Sequence, residues 1–272
     1  MSCTSHADPQ ARNKKNSADI SEFCRSTYES SDIVEDYAKQ DALQPPEQTI
    51  LDLLRNRLPQ MNMLDIGVGG GRTTQHFAPL TKDYVGVDFA ANMIQTCRKK
   101  FPELQFEVAD AKNLSMFKDG RFDFTLFSFN GLDYMNHEDR ALALKEMHRV
   151  TKKGGYVCMS THNLNCVPEL FKFNFPKNLM GLAHELRRLH RIHFVNKHMK
   201  KNTEKEPYLL LNDGAHDFRL ITHYIKPEEQ VKHLTTLGFG NIRVFSLDGK
   251  EIMPANLTDA KDYWLYFLCI PT

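Results

Sequence analysis

The sequence predicts a three-layer α/β protein, a doubly wound and mostly parallel β-sheet with helices on both faces. Short apolar runs alternate with amphipathic stretches of helical periodicity from about residue 45 to residue 165, and the alternation resumes near residue 225. Strands that alternate with helices pair in parallel through right-handed crossovers. The glycine-rich segment DIGVGGGR, residues 65–72, follows the first apolar run, as expected where a strand turns sharply at the sheet edge.

The elements of this core follow from their periodicity. Apolar runs predict strands over residues 61–66, 83–88, 104–110, 121–130, 156–163, 241–249 and 262–271. Apolar residues at helical spacing predict helices over residues 45–58, 71–80, 90–101, 138–152 and 226–239. Pro45 and Pro46 open the first of these helices, where the first turn tolerates proline.

Three further segments surround this core. The first, residues 1–18, is polar and poor in apolar side chains, which predicts a disordered tail. In the second, residues 19–44, apolar residues have the spacing of two short amphipathic helices, which we expect to form an N-terminal helical cap. The third interrupts the alternation with a long helical stretch and a hairpin turning at Asp213-Gly214, and we expect it to form a lid over the carboxyl edge of the sheet. The predicted organisation is a tail at 1–18, a cap at 19–44, a core at 45–165 and 225–272, and the insertion at 166–224.

Composition argues against several classes of function. The formal net charge of the 272 residues is +1, whereas a surface that neutralises phosphates needs an excess of Lys and Arg, so nucleic acid is not an expected partner. We find no run of about 18 apolar residues and no signal peptide, so a cytoplasmic protein without a membrane partner is expected. The six scattered cysteines favour reduced, buried thiols, and no metal site is expected.

Three acidic residues close successive predicted strands around the glycine-rich loop. Asp65 ends the first strand, Asp88 the second and Asp110 the third. The carboxyl ends of parallel strands meet at one edge, so these side chains are expected to share one crevice. An acid about 20 residues beyond such a loop is typical of ribose binding, and Asp88 has this spacing. The pattern indicates a dinucleotide or S-adenosylmethionine.

Asp65 distinguishes these two cofactors. A carboxylate directly before the loop would repel a pyrophosphate, but it suits a ligand with a positive amino group and a sulfonium. Asp110 can accept a hydrogen bond from an adenine amino group, with Ala111 beside it. S-adenosylmethionine is therefore the expected cofactor, and S-adenosylhomocysteine the expected product.

With these motifs the sequence resembles the class I S-adenosylmethionine-dependent methyltransferases, including many that act on small molecules. The resemblance covers about residues 45–165 and 225–270 and rests on LDIGVGGGR, VGVDFAANMI, VADAKNL, FDFTLFSFNGLDY and LKEMHRVTKKGGYVCMS. It implies a seven-stranded sheet whose last strand is inserted antiparallel. It also implies that the methionine part is bound by Asp65, Gly67, Gly69 and Gly71, the ribose by Asp88 and Phe89, and the adenine by Asp110 and Ala111, with Ser128 and Asn130 flanking the methyl group.

Candidates for the acceptor side come from strand ends and from the surrounding segments. His162 and Asn163 end the fifth strand, where a histidine can act as a base, although His162 could equally satisfy a loop carbonyl. Tyr134 follows the fourth strand as a pocket wall, and His162, Tyr134 and Asn130 are the predicted catalytic residues. Further substrate contacts, each with packing or a solvated face as the alternative, are Tyr28 and Tyr37 of the cap and His216, Arg219 and Tyr224 of the insertion.

The expected function is methyl transfer to a nitrogen or oxygen of a small-molecule metabolite, as in natural-product pathways. Nitrogen is favoured because the expected pocket is polar and no metal-ligand cluster is evident. The stretch SFNGLDYM departs from the Asn/Asp-Pro-Pro-aromatic pattern of base methyltransferases. Two alternatives stay open, an enzyme that modifies RNA, DNA or protein through the basic run of the insertion, and a non-catalytic protein that binds the cofactor. A monomer and a homodimer are both compatible with the sequence.

Overall fold

The computed structural model describes residue 24 and residues 26–176, 178–197 and 205–272. The predicted tail at residues 1–18 and the first part of the predicted cap lie outside these described residues. The strands, in chain order, are β1 (Asn62–Ile66), β2 (Asp83–Asp88), β3 (Gln105–Val108), β4 (Phe122–Phe127), β5 (Thr151–Asn163), β6 (Tyr208–Leu211), β7 (Thr222–Ile225), β8 (Phe239–Phe245), β9 (Glu251–Ile252) and β10 (Trp264–Pro271). The helices are α1 (Ser31–Lys39), α2 (Pro45–Leu54), α3 (Thr74–Phe77), α4 (Ala91–Lys100), α5 (His137–Val150), α6 (Val167–Leu170), α7 (Leu179–Val195) and α8 (Pro227–Thr236).

The strands form one sheet with the order β3-β2-β1-β4-β5-β10-β8-β9, and the β6–β7 hairpin joins it at the end of β5. Strands β1 to β5 are parallel, whereas β10 runs antiparallel between β5 and β8. The predicted doubly wound sheet with an antiparallel last strand is confirmed. In the described chain, β6, β7 and β9 add three short strands to the seven that were expected.

The two faces of the sheet are covered by separate apolar layers. Alternate residues of β1 enter opposite layers, because successive side chains of a strand point to opposite faces. Leu64 and Ile66 pack in the layer that contains α5 and α8, whereas Met63 packs in the layer that contains α2 and α4. Both layers are buried. Because β1 to β4 are parallel, the loops that follow them lie at a single edge of the sheet.

The hairpin of the insertion differs from its prediction. Instead of a tight turn at Asp213-Gly214, residues 212–221 join β6 to β7, and Leu211 pairs with Thr222. The connection contains a left-handed turn at Ala215–Phe218, in which three consecutive residues have φ between 48° and 64°. Leu220 is fully buried in a cluster with side chains of the cap, so this segment cannot continue as a regular strand.

Candidate functional site

A cavity opens at the carboxyl edge of the sheet, between the loops after β1 to β4 and the N-terminal cap. It holds roughly 900 Å³ of space that no protein atom occupies, part of it open to solvent. The structure brings many of the sequence-predicted residues to this one cavity. Those that line it are Tyr28, Tyr37, Gly67, Gly69, Asp88, Phe89, Asp110, Ala111, Ser128 and Tyr134.

The glycine-rich loop forms a cradle that only glycine permits. Gly67 and Gly69 have φ of +64° and +54°, a region that side chains rarely adopt. A Cβ on Gly67 would lie 2.7 Å from the ring of Phe127. Gly71 differs from its prediction, because it does not line the cavity. A Cβ there would meet the ring of Phe101 at 2.6 Å, so Gly71 allows the loop to pack on the end of α4.

Asp65 also lies elsewhere than expected, since it is buried beneath the loop and does not line the cavity. One of its carboxylate oxygens, Oδ2, accepts hydrogen bonds from Thr73 Oγ1 at 2.5 Å and from the Tyr84 hydroxyl at 2.7 Å. Burial raises the pKa of Asp65 to about 6. Asp65 therefore ties the start of α3 to β2 and supports the loop from below.

Asp88 and Asp110 lie where the sequence predicts them, at strand ends on the cavity wall. Asp88 accepts hydrogen bonds from the backbone N–H groups of Gly69 at 3.0 Å and Ala90 at 2.9 Å. Burial raises the pKa of Asp88 to about 6. Asp110 accepts from the backbone N–H of Lys112 at 2.9 Å. Both carboxylates thus shape their loops, and each oxygen keeps a further lone pair for a ligand.

A buried charge cluster behind the loop was not predicted. Glu47 of α2 pairs with Arg72, whose Nη2 lies 2.6 Å from Glu47 Oε1, and it also accepts from the hydroxyls of Ser128 and Tyr266. Burial alone would raise the pKa of Glu47, but Arg72 holds it below its usual value. The Arg72 guanidinium also lies 4.8 Å from the ring centroid of Phe129. The available signal was a carboxylate on the apolar face of a helix, which needs a buried partner.

The second unpredicted feature is Asp133, which follows β4 and is fully buried. Its Oδ2 accepts from the backbone N–H of His162 at 2.6 Å and from His162 Nδ1 at 2.8 Å. Its Oδ1 accepts from Thr161 Oγ1 at 2.7 Å and from Arg140 Nε at 3.3 Å. Because Nδ1 donates to the carboxylate, Nε2 of the neutral imidazole is an acceptor.

His162 itself does not line the cavity, contrary to the expectation that it faces the methyl acceptor directly. Its ring lies 4.9 Å from that of Tyr224 and 5.9 Å from that of Trp264. Trp264 in turn contacts Phe129 with 6.5 Å between ring centroids, and Phe129 does line the cavity. Within the described chain, Nε2 of His162 has no hydrogen-bond partner, so an open proton acceptor lies two rings, those of Trp264 and Phe129, away from the cavity.

Asn130 is the other predicted catalytic residue that does not line the cavity, although Phe129 and Gly131 on either side of it do. Phe129 and Asn130 have φ of +56° and +61°, a strained conformation for both residues. The backbone N–H of Asn130 donates to Ser160 Oγ at 2.7 Å. The Asn130 Oδ1 atom is buried and has no partner among the residues that the structure describes.

Two predicted substrate residues are used in structural contacts. Asn163 donates from its amide to the carbonyls of Ala260 and Asp262, both at 3.0 Å, and is almost fully buried. Tyr224 donates from its hydroxyl to Asp213 Oδ2 at 2.8 Å. Neither side chain lines the cavity, so both hold the end of β5 and the insertion in place.

Residues of the insertion contact the cap instead of facing the cavity. Arg219 pairs with Asp32 of α1 at 3.0 Å, which corrects its prediction as an anion partner. The ring of His216 packs 5.8 Å from Tyr28 and 6.1 Å from Tyr37. These contacts join the cap to the insertion above the cavity.

Aromatic side chains form the wall between the cap and the sheet. The ring of Tyr28 makes edge contacts with Tyr37, Phe89 and Tyr134 at centroid distances of 5.6 to 5.9 Å. Burial raises the pKa of the Tyr28, Tyr37 and Tyr134 hydroxyls, so they stay protonated. The expectation of a polar pocket is therefore wrong, because this wall is mainly aromatic.

Other site types find no support in the described residues. No group of three His, Cys, Asp or Glu side chains there is arranged to hold a metal ion. The five cysteines that the structure describes are free and buried. Among the described helices, none combines the length and the apolar character needed to span a bilayer.

The sheet order, the glycine cradle and the acids at the ends of β2 and β3 define a domain that binds a nucleoside cofactor at its carboxyl edge. Residues 63–155 match a family model described as a methyltransferase domain. The demethylmenaquinone methyltransferase of Paenarthrobacter aurescens is 31% identical over 137 residues, which are 50% of this chain and 52% of that protein. The ubiquinone/menaquinone biosynthesis C-methyltransferase of Geobacter sp. (strain M21) is 29% identical over 201 residues, 69% of this chain and 74% of that protein.

Solved structures show the same fold. The 1,6-didemethyltoxoflavin-N1-methyltransferase of Burkholderia thailandensis, with bound S-adenosylhomocysteine, superposes over 100% of this chain and 93% of its own at a TM-score of 0.55 and 16% identity. The chain spans between 40% and 52% of the length of three demethylmenaquinone methyltransferases that it matches. Residues 63–155 thus match a methyltransferase domain, and the fold is that of solved class I S-adenosylmethionine-dependent methyltransferases, whose cofactor is S-adenosylmethionine.

Proposed function

We propose that the protein transfers a methyl group from S-adenosylmethionine to a small aromatic molecule that carries an ionisable O–H or N–H, with His162 as the base that takes up its proton. The observation that carries this proposal is the Asp133–His162 pair at the end of β5. A histidine whose Nδ1 donates to a buried carboxylate presents Nε2 as an oriented acceptor.

The cofactor end of the cavity has the groups that S-adenosylmethionine requires. Gly67 and Gly69 line the cavity with backbone at positive φ and no side chain, which suits close approach of the methionine part. Asp88 would accept from the ribose hydroxyls, and Asp110 with Ala111 would hold the adenine. When bound, the cofactor supplies an electrophilic methyl group on a positively charged sulfur.

The acceptor end of the cavity favours a planar ring. Tyr28, Tyr37, Phe129 and Tyr134 line it, and aromatic walls of this kind stack against or contact the edges of rings. The preference for a nitrogen acceptor depended on a polar pocket and loses that support. Two of the relatives are a demethylmenaquinone methyltransferase and a ubiquinone/menaquinone biosynthesis C-methyltransferase, which supports a ring carbon of a hydroxylated aromatic compound as the acceptor atom.

His162 would act by taking the proton of the ring hydroxyl at Nε2, which requires the rings of Phe129 and Trp264 between it and the cavity to move aside. Loss of that proton moves electron density onto the ring carbon beside the hydroxyl, which makes this carbon the nucleophile. After this carbon has accepted the methyl group, it would lose its own hydrogen as a proton to solvent, and the imidazolium would return its proton to the ring oxygen. Asp133 keeps the second proton on Nδ1 and stabilises the imidazolium that forms. A positioned base contributes about 10²- to 10⁴-fold to the rate, and alignment of the ring by the aromatic wall adds to this.

A ring nitrogen is the second candidate acceptor. Asn130 lies in the chain between Phe129 and Gly131, which line the cavity, and its buried Oδ1 has no partner among the described residues. An N–H of the substrate that reached this atom would satisfy it. A buried acceptor left unsatisfied costs about 1–3 kcal/mol, so a substrate N–H placed there would gain binding energy.

Incubation with methyl-labelled S-adenosylmethionine tests the proposal. The panel contains a reduced naphthoquinone, simple phenols, heteroaromatic amines, bulk tRNA and a peptide pool, and mass spectrometry locates the methyl group. We expect label on a ring carbon of the hydroxylated compounds, and substitution His162→Gln should abolish it while calorimetry shows unchanged cofactor binding. Label found only on tRNA or peptide would contradict the proposal, as would full activity of the His162→Gln variant.

A further inference from the structure

Helix α7 of the insertion presents an apolar face to solvent. Six of the twelve large apolar side chains that are exposed in the described chain lie between residues 175 and 195. The most exposed are Phe175, which precedes the helix, at 91%, and Met180, Phe194 and Leu186 of α7, at 84%, 61% and 54%. A helix on the surface of a globular protein normally turns such side chains inward, so an exposed apolar face of this kind indicates an interaction site.

The opposite side of α7 already packs on the protein. Ile192 is buried, and Glu185 accepts from the backbone N–H of Asn174 at 2.9 Å and from Arg188 at 2.6 Å. Arg188 also donates to the carbonyl of Leu170 at 2.8 Å. The helix is therefore anchored through one side, and its outward face is not needed to hold it in place.

The charges on the outward side are positive. Arg187 and Lys197 are exposed beside the apolar side chains, and the Lys197 ammonium lies 5.0 Å from the ring of Phe194. Glu185 is the only acidic residue of α7, and it faces inward. Two copies of this face would bring like charges together, whereas an anionic surface would be attracted to it.

We propose that α7 docks on the surface of an anionic lipid bilayer, with the apolar face around Leu186 and Phe194 entering the boundary between headgroups and acyl chains. Helices that lie in this interface combine an apolar face with Lys and Arg at its margin. Arg187 and Lys197 are long enough to reach the lipid phosphates while their stems stay on the apolar surface. This replaces the sequence-based expectation of no membrane partner, and it does not depend on the identity of the methyl acceptor.

Vesicle co-sedimentation of the full chain tests this. Wild type should bind vesicles of phosphatidylcholine with 30% phosphatidylglycerol at low salt, bind pure phosphatidylcholine at least tenfold more weakly, and be released by 0.5 M salt. The double variant Leu186→Glu with Phe194→Glu should lose binding at least tenfold. The matched control is Leu142→Glu, an equally apolar side chain exposed at 48% on α5, which should bind as wild type does.

A double variant, Arg187→Gln with Lys197→Gln, tests the contribution of positive charge to vesicle binding. It should weaken binding by about fivefold for each charge removed. Circular dichroism and thermal unfolding confirm that each variant is folded. Absence of wild-type binding to anionic vesicles would overturn the proposal, and so would equal loss in the Leu142→Glu control. A concentration-dependent dimer that the Leu186→Glu, Phe194→Glu variant abolishes would assign the face to a second copy of the chain instead.

Discussion

Substitution Asp133→Asn tests whether this carboxylate sets the position of the proton on His162. The amide has the same shape, and its NH₂ group avoids the positive Arg140 when it takes the position of Oδ2. There it can donate to Nδ1 of His162, at the cost of the hydrogen bond from the His162 backbone N–H. Nδ1 would then accept, and the ring proton would move to Nε2. His162 could no longer take up a proton from a substrate, so we expect turnover to fall by about 10²- to 10⁴-fold.

The same substitution breaks a fully buried ion pair. Arg140 would keep hydrogen bonds to Gln230 Oε1 at 2.8 Å and Thr161 Oγ1 at 2.9 Å, but it would lose its counter-charge. Burial lowers the pKa of Arg140, and an unpaired charge at such a position costs about 3–5 kcal/mol of unfolding free energy. Urea unfolding should report a loss of this size.

Nitrogen-15 NMR of histidine-labelled protein separates the two effects, because it reports which ring nitrogen carries the proton without needing a substrate. Wild type should show His162 protonated at Nδ1, and Asp133→Asn should show it protonated at Nε2. The control is Thr161→Val, which removes the hydrogen bond to Asp133 at 2.7 Å and the one from Arg140 at 2.9 Å, and it should cost about 1–3 kcal/mol with the proton still on Nδ1. An Nε2 proton in wild type, or an unchanged tautomer in Asp133→Asn, would refute the reasoning.

Three further predictions concern buried carboxylates. Burial raises the pKa of Asp88 to about 6, so protonation removes a ribose acceptor as the pH falls below 6. Calorimetry should therefore show that cofactor affinity falls below pH 6 in wild type but not in Asp88→Asn. An affinity of the wild type that does not change with pH would contradict this. The pKa of Asp65 is raised to about 6, so its ionisation should remove about 3 kcal/mol of stability as the pH rises from about 4 to 6. Asp65→Asn should remove this part of the slope of unfolding free energy against pH and leave the similar part that Asp88 contributes, and an unaltered slope would argue against a buried, raised carboxyl. Glu47→Gln leaves Arg72 buried without a counter-charge and should cost about 3–5 kcal/mol in urea unfolding, whereas a loss under 1 kcal/mol would show that the pair is solvated.

Much of the cofactor site could be predicted from the sequence, because it depends on short segments at strand ends. The loop at 65–72 and the acids Asp88 and Asp110 each follow an apolar run, and parallel pairing alone carries them to one edge. The sequence predicts Asp65 on the cavity wall, whereas the structure buries it beneath the loop because of its hydrogen-bond donors. Its donors, Thr73 and Tyr84, lie 8 and 19 residues away and draw the carboxylate beneath the loop.

The acceptor side could be predicted only in part. His162 was found from its place at the end of β5, but its partner Asp133 lies 29 residues earlier in a turn without regular periodicity. Likewise, the contact of Arg219 with Asp32 joins residues 187 apart in the chain. No pattern of spacing reports such pairs, because they form only when separate elements pack together.

The sequence by itself determined the α/β class, the order of the core elements and the edge at which a nucleoside cofactor binds, since hydrophobic periodicity and glycine conformation are local properties of the chain. The tertiary structure alone decided which buried carboxylate meets which base, that the wall of the acceptor pocket is aromatic, and that α7 turns its apolar side outward. These features depend on contacts between distant segments, where burial and charge pairing are settled by packing.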